Sequence, residues 1–547
     1  MSPAAPSSPA DSGSRADALR RELRRLSSSA RAVPASSFRA AAGGGAVPLS
    51  DPRALRRAGL CDLRLFPGVA ASADAGRDDL GEYLGDLDAA VAGLPASADV
   101  AAGDRATGAI PFRPPAADSM RAVGSAAYGA LRKEGAAVDV FVPVDPSIFG
   151  VKDFRNGRYL DVRNAWVTHL AEALRIALNP EQGGGKKNKK RRKKDKGGGE
   201  VAAAAESGMA VVGSEVVLEY FGVDRRKLYV VATPTLVRSD VSGRKRKGKK
   251  VDTSGGAAVR SRYSVRLLFG TETPIYPAGR MLFDRNNWRK GGGVPGLPDE
   301  DGGDGDGGVG KGSVDYNHSV VEDSMILPLT EIVTETVRTM AEESGGEGGA
   351  DAFLETVALA KLWHARMIFP SSLRSESLTP LVITLFLVYL ARTGRIAPRM
   401  PPLHMLTVFF KFLSETDFAG SDAAASDAAP SSDRIRTSRS VAYGGTAVRD
   451  PLRRAIAVLP SRHGESEAET LRAASARLAP LLLDRRGPTC IAAALRAAAH
   501  PSGIFLDPTC SLNLLGRCSP AALEVLRGDA ARALAALGGD DPGRVLR

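Results

Sequence analysis

The stretch VGSAAYGALRKEGAAVDVFVPV, residues 123–144, decides how the rest of the chain is read. Its front half, Gly124 and Ser125 followed by small residues and Tyr128, reads as a tight turn that opens a helix. Its back half, VDVFVPV (138–144), alternates apolar residues and reads as a strand carrying Asp139. A glycine-serine turn of this kind can offer backbone N–H groups to a chain of phosphates. A strand with two acids two positions apart points both to one side, where they can share a pair of Mg²⁺ ions. Such pairs, with a third acid from a neighbouring strand, are what nucleotidyl transfer requires.

Here the set is incomplete. The residue two positions before Asp139 is Ala137, Glu134 precedes the strand, and Asp145 lies at its far end. The next candidate strand, YSVRLLF (263–269), alternates in the same way and has no carboxylate. One acid is poor equipment for holding two metal ions beside a polyphosphate. The sequence therefore gives no catalytic residue, no metal ligand set and no cofactor. Gly124, Ser125, Tyr128, Ala137 and Asp139 mark a degenerate nucleotide pocket. Asp139 is left to pair with Arg262 or Arg266, to fix a local turn, or to retain a single metal or nucleotide.

The chain has 547 residues, enough for three or four domains at roughly 100–200 residues each. It is 43% hydrophobic and 25% charged, as in globular proteins, but 59 glycines and 34 prolines point to long irregular insertions. The formal charge of +12 is concentrated in two places. KKNKKRRKKDK (186–196) carries +8 and RKRKGKK (244–250) carries +6, so the remainder is close to −2. Charges this dense repel one another and bury no apolar surface, so both tracts are expected to be disordered loops. They serve as nuclear or nucleolar address signals, as non-specific phosphate contacts, or as tolerated solvated insertions. Cys61, Cys490, Cys510 and Cys518 form no CxxC pair and have no histidine at zinc spacing, which fits a reducing compartment. The longest apolar run, LVITLFLVYLA (381–391), falls short of the ~20 residues of a membrane span and reads as a buried helix. The Ser-, Ala- and Arg-rich first 45 residues lack a hydrophobic signal core, though an organelle transit peptide stays open.

The order of patterns predicts an α+β chain with long insertions. Residues 1–60 are expected to be mostly disordered, with a short helix on Leu19, Leu23 and Leu26, and 61–107 form a helical lead-in. A sheet domain comes next over 108–290, interrupted by basic insertions at 183–199 and 241–256. Within it, RNAWVTHLAEALRIAL (163–178) places Trp166, Leu170 and Leu174 on one helical stripe, and KLYVVATPT (227–235) is a β-branched strand. Residues 291–312 are a Gly/Asp-rich linker, 313–415 a helical domain, 416–439 a flexible loop and 440–547 a mainly helical C-terminal segment. Trp363 is expected in the core and His364 as an ordinary helix residue. Arg285, Asn286, Asn287 and Trp288, in FDRNNWR, face either a partner or the helical domain.

Five stretches in order resemble the Nrap/Utp22 family, also called nucleolar protein 6. They are FRPPAADSMRAVGSAAYGALRKEGAAVDVFVPV (112–144), FGVKDFRNGRYLDVRNAWVTHLAEAL (149–174), YNHSVVEDSM (316–325), ALAKLWHARMIF (358–369) and GIFLDPTCSLNLLGRCSPAALEVLRGDAARAL (503–534). The resemblance implies a nucleotidyltransferase-like domain of the polymerase beta type, followed by helices of the poly(A) polymerase and oligoadenylate-synthetase kind. It implies two such modules in tandem, of which this chain covers the first and only the start of the region after it. It implies a catalytically inactive scaffold of the small-subunit processome, in the nucleus and nucleolus. Such a scaffold binds pre-ribosomal RNA and processome proteins, and takes no cofactor, membrane or small-molecule substrate. Phosphate contacts would then come from Lys186, Lys187, Lys189, Lys190, Arg191, Arg192, Lys193, Lys194 and Lys196, joined by Arg244, Lys245, Arg246 and Lys247. These position RNA without reading it, and no aromatic residue is interleaved for stacking. The rival readings are an active Mg²⁺-dependent RNA nucleotidyltransferase and a nuclear structural protein without RNA contact.

Overall fold

The computed structural model describes residues 21, 25, 46–63, 65, 80–100, 110–131, 137–179, 211–221, 224–237, 259–281, 285, 287, 311–345, 348–367, 369, 377–416, 456–482 and 504–538. Of the expected N-terminal helix only Arg21 and Arg25 are described, both helical. The fold is mixed α+β, with a central sheet and flanking helices. Contacts divide it into two units that are not consecutive segments: 1–276 with 322–363 and 398–403, and 277–321 with 364–397 and 404–547. The stretch 313–415, expected as one helical domain, contributes to both units, because several of its side chains bond directly to the sheet.

The first unit is built on a seven-stranded sheet in the order β1-β4-β5-β9-β7-β6, with β8 beside β7. The strands are β1 (Val47–Pro48), β4 (Arg121–Val123), β5 (Ala137–Pro143), β6 (Val211–Phe221), β7 (Asp224–Val237), β8 (Val259–Arg260) and β9 (Ser264–Gly270). A separate antiparallel pair joins β2 (Ser97–Val100) to β3 (Ile110–Phe112). β5 and β9 run parallel, and the β6–β7 hairpin attaches antiparallel to β9. Alternation sorts the side chains. Val138, Val140 and Val142 sit opposite Val265, Leu267 and Phe269, and Val230 and Ala232 of β7 continue the same buried face.

Helix α4 (Arg158–Leu178) covers that face, and α2 (Leu80–Ala92) packs against α4; α1 (Pro52–Arg57) lies earlier in the chain and the short α3 (Gly124–Ala127) comes directly after β4. Trp166 of α4 is fully buried between Phe112, at 5.3 Å between ring centroids, and Phe269, at 5.6 Å. The outer edge of β6 is capped by the end of α4. Asn179 both donates to the Ser214 carbonyl (2.7 Å) and accepts from the Ser214 N–H (3.2 Å), standing in for a neighbouring strand.

The opposite face meets α5 (Lys311–Glu343), whose first two residues extend into the expected linker, and α6 (Gly349–Arg366). Ile326 and Leu327 of α5 pack with Val123, Phe141 and Leu268. One buried carboxylate fixes this contact. Asp323 takes Arg163 Nε at 2.8 Å, Lys227 Nζ at 2.7 Å and the Tyr159 hydroxyl at 2.9 Å. Arg163 also donates to the carbonyls of Leu228 (2.7 Å) and Phe269 (3.2 Å). Burial and the Asp323 charge push the Tyr159 hydroxyl well above its usual pKa, so it stays a donor. Gly270 permits the close approach: a side-chain carbon there would lie 2.1 Å from the Asp323 carbonyl oxygen and 2.9 Å from the Phe141 ring.

The second unit contains α7 (Pro380–Arg392), most of α8 (Pro402–Glu415), α9 (Glu467–Leu482) and α10 (Pro520–Gly538). It also holds a parallel pair, β10 (Ile456–Val458) with β11 (Ile504–Leu506), in a segment expected to be mainly helical; three-residue strands are too short to show a period. Phe505 stacks on Phe386 at 4.9 Å, and buried Arg392 donates to the carbonyls of Pro460 (2.8 Å) and Ser461 (2.7 Å). Asp507 organises the turn after β11 by accepting from the N–H groups of Thr509, Ser511 and Leu512.

Replacing Asp323 with alanine leaves buried Arg163 without its carboxylate and Lys227 with Glu322 alone, a defect that costs about 3–5 kcal/mol in comparable settings. Chemical unfolding of Asp323→Ala against the wild-type chain should show a loss of that size. A change below about 1 kcal/mol would mean that the cluster does not hold α5 to the sheet.

Candidate functional site

The sheet register brings the expected pocket residues together in the first unit. β4 pairs with β5 so that Val123 lies opposite Asp139, which places the Gly124 turn beside the acid. Gly124 has φ of +57°, a left-handed conformation open to glycine. A side-chain carbon at Gly124 would lie 3.4 Å from Asp139 Oδ2. Ala137 sits opposite Ser264 and Asp139 opposite Arg266.

Arg266 thus occupies the neighbouring-strand position from which a further carboxylate could reach the same place. Its Nε and Nη2 both lie 2.7 Å from Asp139 Oδ1. Burial alone would favour losing the Arg266 proton, but Asp139 outweighs it and holds the guanidinium charged. The polar ladder continues across the sheet to Tyr229 and Glu219. Burial and the hydrogen bond that Tyr229 donates to Glu219 push its hydroxyl up to about 12.

Two helices also reach this turn. Thr330 of α5 accepts a long hydrogen bond from the Gly124 N–H at 3.4 Å. Lys361 of α6 donates to the Ser125 hydroxyl at 2.9 Å and to the Tyr128 hydroxyl at 3.0 Å, with its ammonium 5.1 Å from the Tyr128 ring centre. Tyr128, placed in the pocket from the sequence, is buried beneath this lysine, whereas Gly124 and Ser125 are half-buried. Lys361 and Thr330 were not visible as site residues in the sequence. The available signal was a lone charge on the buried stripe of α6, one turn after Val357.

This donor set does not fit a pair of Mg²⁺ ions. Such ions need several converging oxygen ligands, and here one carboxylate is committed to a guanidinium and its partner position is Ala137. Among the described residues no group of three or more His, Cys, Asp or Glu side chains converges to hold a metal. Asp145 instead accepts from the Ser147 N–H at 2.8 Å and pairs with Arg113 at 3.2 Å. These bonds outweigh the partial burial that works the other way and hold its pKa below the usual value. Glu134 and both basic tracts, with every lysine and arginine assigned there to phosphate contact, lie outside the described residues.

The remaining singled-out residues have packing duties. Asn287 is buried and donates to Asn317 Oδ1 at 2.7 Å, while Asn317 donates to the Arg285 carbonyl at 2.8 Å. Asn286 and Trp288 lie outside the described residues. Trp363 is buried. Cys510 and Cys518 are buried and Cys61 is half-buried, and Cys490 lies outside the described residues. Among the described residues no helix is long and apolar enough to cross a membrane.

No protein-family model matches the chain. No curated protein matches it either. Among solved structures it is similar to a chain of the E. coli MS115-1 CdnC:HORMA-deltaN complex, with 12% identity and a TM-score of 0.34 over 95% of this chain and 90% of that one. At that TM-score neither fold nor activity carries over.

His364, half-buried with its ring 5.8 Å from that of Phe369, has its pKa pushed down to about 4 by burial. The unfolded chain takes up this proton near 6.5, the folded one only near 4. Stability should therefore be full above pH 6.5 and fall as the pH drops to 4, by an amount on the order of 3 kcal/mol. His364→Gln should flatten that part of a stability-versus-pH curve; an unchanged slope would remove His364 as its source.

Proposed function

We propose that this protein is a non-catalytic scaffold with a nucleotidyltransferase-like sheet domain, acting in small ribosomal subunit assembly within the nucleolus. The observation that carries the non-catalytic part is the Asp139–Arg266 pair, with Ala137 in place of a second acid. A cation supplied by the protein sits where carboxylates would have to gather metal ions. The assembly role is supported by the ordered resemblance of five stretches to the Nrap/Utp22 family. Three of those stretches contain residues that hold the fold together through buried polar bonds: Asp323 in YNHSVVEDSM, Lys361 in ALAKLWHARMIF and Asp507 in GIFLDPTCSLNLL.

In this reading the folded body, near neutral without its tracts, presents protein-binding surfaces. The two basic tracts contact pre-ribosomal RNA through its phosphates. Such contacts release counterions, so affinity should fall steeply with salt.

The test is purification of the tagged chain from its own cells with identification of what accompanies it. Small-subunit assembly factors and unprocessed precursor RNA are expected. A folded chain recovered with neither would overturn the assembly role. Crosslinking should map RNA to residues 186–196; loss of RNA binding on neutralising that tract is expected, and unchanged binding would remove the role assigned to it.

A further inference from the structure

The end of α4 caps only the first half of β6. Asn179 takes both backbone groups of Ser214, and Arg175 donates to the Val216 carbonyl at 3.2 Å. Those groups point away from β7, and the two-residue period of a strand turns the backbone of Leu218 and Tyr220 the same way. The neighbouring strand agrees. Tyr220 lies opposite Leu228, whose N–H goes instead to Asn164 at 3.1 Å and whose carbonyl goes to Arg163 at 2.7 Å. Tyr220 and Leu228 therefore exchange no bonds with each other, and the Tyr220 backbone faces outward. Among the described residues nothing bonds to the outward backbone groups of Leu218 or Tyr220.

The side chains along this open stretch sort by face. Leu218, half-buried, and Tyr220, 53% exposed, lie on one face. Val217 and Glu219, both exposed, lie on the other. Glu219 accepts from the Tyr229 hydroxyl and makes no ion pair among the described residues. Open edges are normally blunted by lysine, proline, a bulge or a covering element. From Val217 to Phe221 there is neither lysine nor proline, and the register becomes irregular only between Tyr220 and Phe221. A second copy of this chain fits the edge poorly. The antiparallel pairing that uses both open residues sets Glu219 opposite itself, and like charges directly opposite destabilise a ladder.

We propose that Val217–Phe221 of β6 is a docking edge that takes an extended segment of a partner protein as an additional strand. Main-chain bonds at Leu218 and Tyr220 supply the attraction, and side-chain alternation in the partner supplies the choice. The partner's residues opposite Leu218 and Tyr220 are apolar, and the one opposite Glu219 is lysine or arginine. The proposal rests on the scaffold reading only for the partner being an assembly factor; the open edge does not depend on it.

The probe is a fluorescein-labelled short peptide alternating lysine and valine, set against the same peptide with glutamate for lysine. The whole chain carries +12, so attraction without a site would favour the acidic peptide. Fluorescence anisotropy with the full chain should instead show the lysine peptide binding more tightly by about tenfold or more. Hydrogen exchange read by mass spectrometry should slow over residues 217–221 when it binds. Tyr220→Pro removes an outward N–H and leaves the β6–β7 ladder intact, so it should weaken binding by about tenfold or more. Glu219→Lys should reverse the preference toward the glutamate peptide. Should Tyr220→Pro not fold, Glu219→Lys carries the test. The proposal is overturned by no binding of the lysine peptide, by equal binding to wild type and both variants, or by slowed exchange elsewhere than 217–221. Peptide binding at this edge by a chain that purifies without assembly factors would sink the scaffold reading and leave the docking edge standing.

Discussion

The Asp323 carboxylate is the constraint on which the site depends. It is buried with Arg163, Lys227 and Tyr159, and these come from the sheet layer and its covering helix. Leaving any one unpaired in a low-dielectric interior would be costly, so helix α5 has one acceptable position against β7, β9 and α4. Gly270 allows that position because any side chain there would collide with the helix backbone. Once α5 is fixed, Ile326 and Leu327 cover Phe141 and Leu268, and Thr330 arrives at the Gly124 amide.

The consequences reach the chemistry of the cleft. In the sheet, neighbouring strands in parallel register put Asp139 beside Arg266, and a short ion pair forms across them. A carboxylate so engaged is a poorer metal ligand, and the missing acid at Ala137 removes the second donor. What the cleft offers instead is positive charge: a half-exposed guanidinium on the sheet and a buried ammonium on α6.

Much of the sheet is legible in the chain because burial imposes a period. β5 and β9 alternate cleanly, since one face packs on α4 and the other carries Asp139 and Arg266. The α4 stripe through Trp166 is equally plain. β6 is not legible in the same way: Val216 and Val217 are adjacent, Glu215 and Glu219 interrupt the apolar pattern, and an edge strand has less to bury. The partner of Asp139 could be narrowed only to Arg262 or Arg266, because strand register depends on pairing between distant segments. The same distance hid the Arg163–Asp323 and Ser125–Lys361 contacts, which join residues separated by 160 and 236 positions. A solitary lysine on an apolar helix looks like a solvent-facing residue until the sheet beneath it is known.

The most direct measurement of whether side chains have displaced metal chemistry is a nucleotide-incorporation assay. Wild-type protein would be incubated with RNA, Mg²⁺ and labelled ATP or UTP. A cleft of this kind should leave no label in the RNA, whether or not nucleotide binds. Labelled RNA formed by the wild type and lost in Asp139→Ala would contradict that expectation, showing that the cleft gathers catalytic metal despite Ala137 and Arg266.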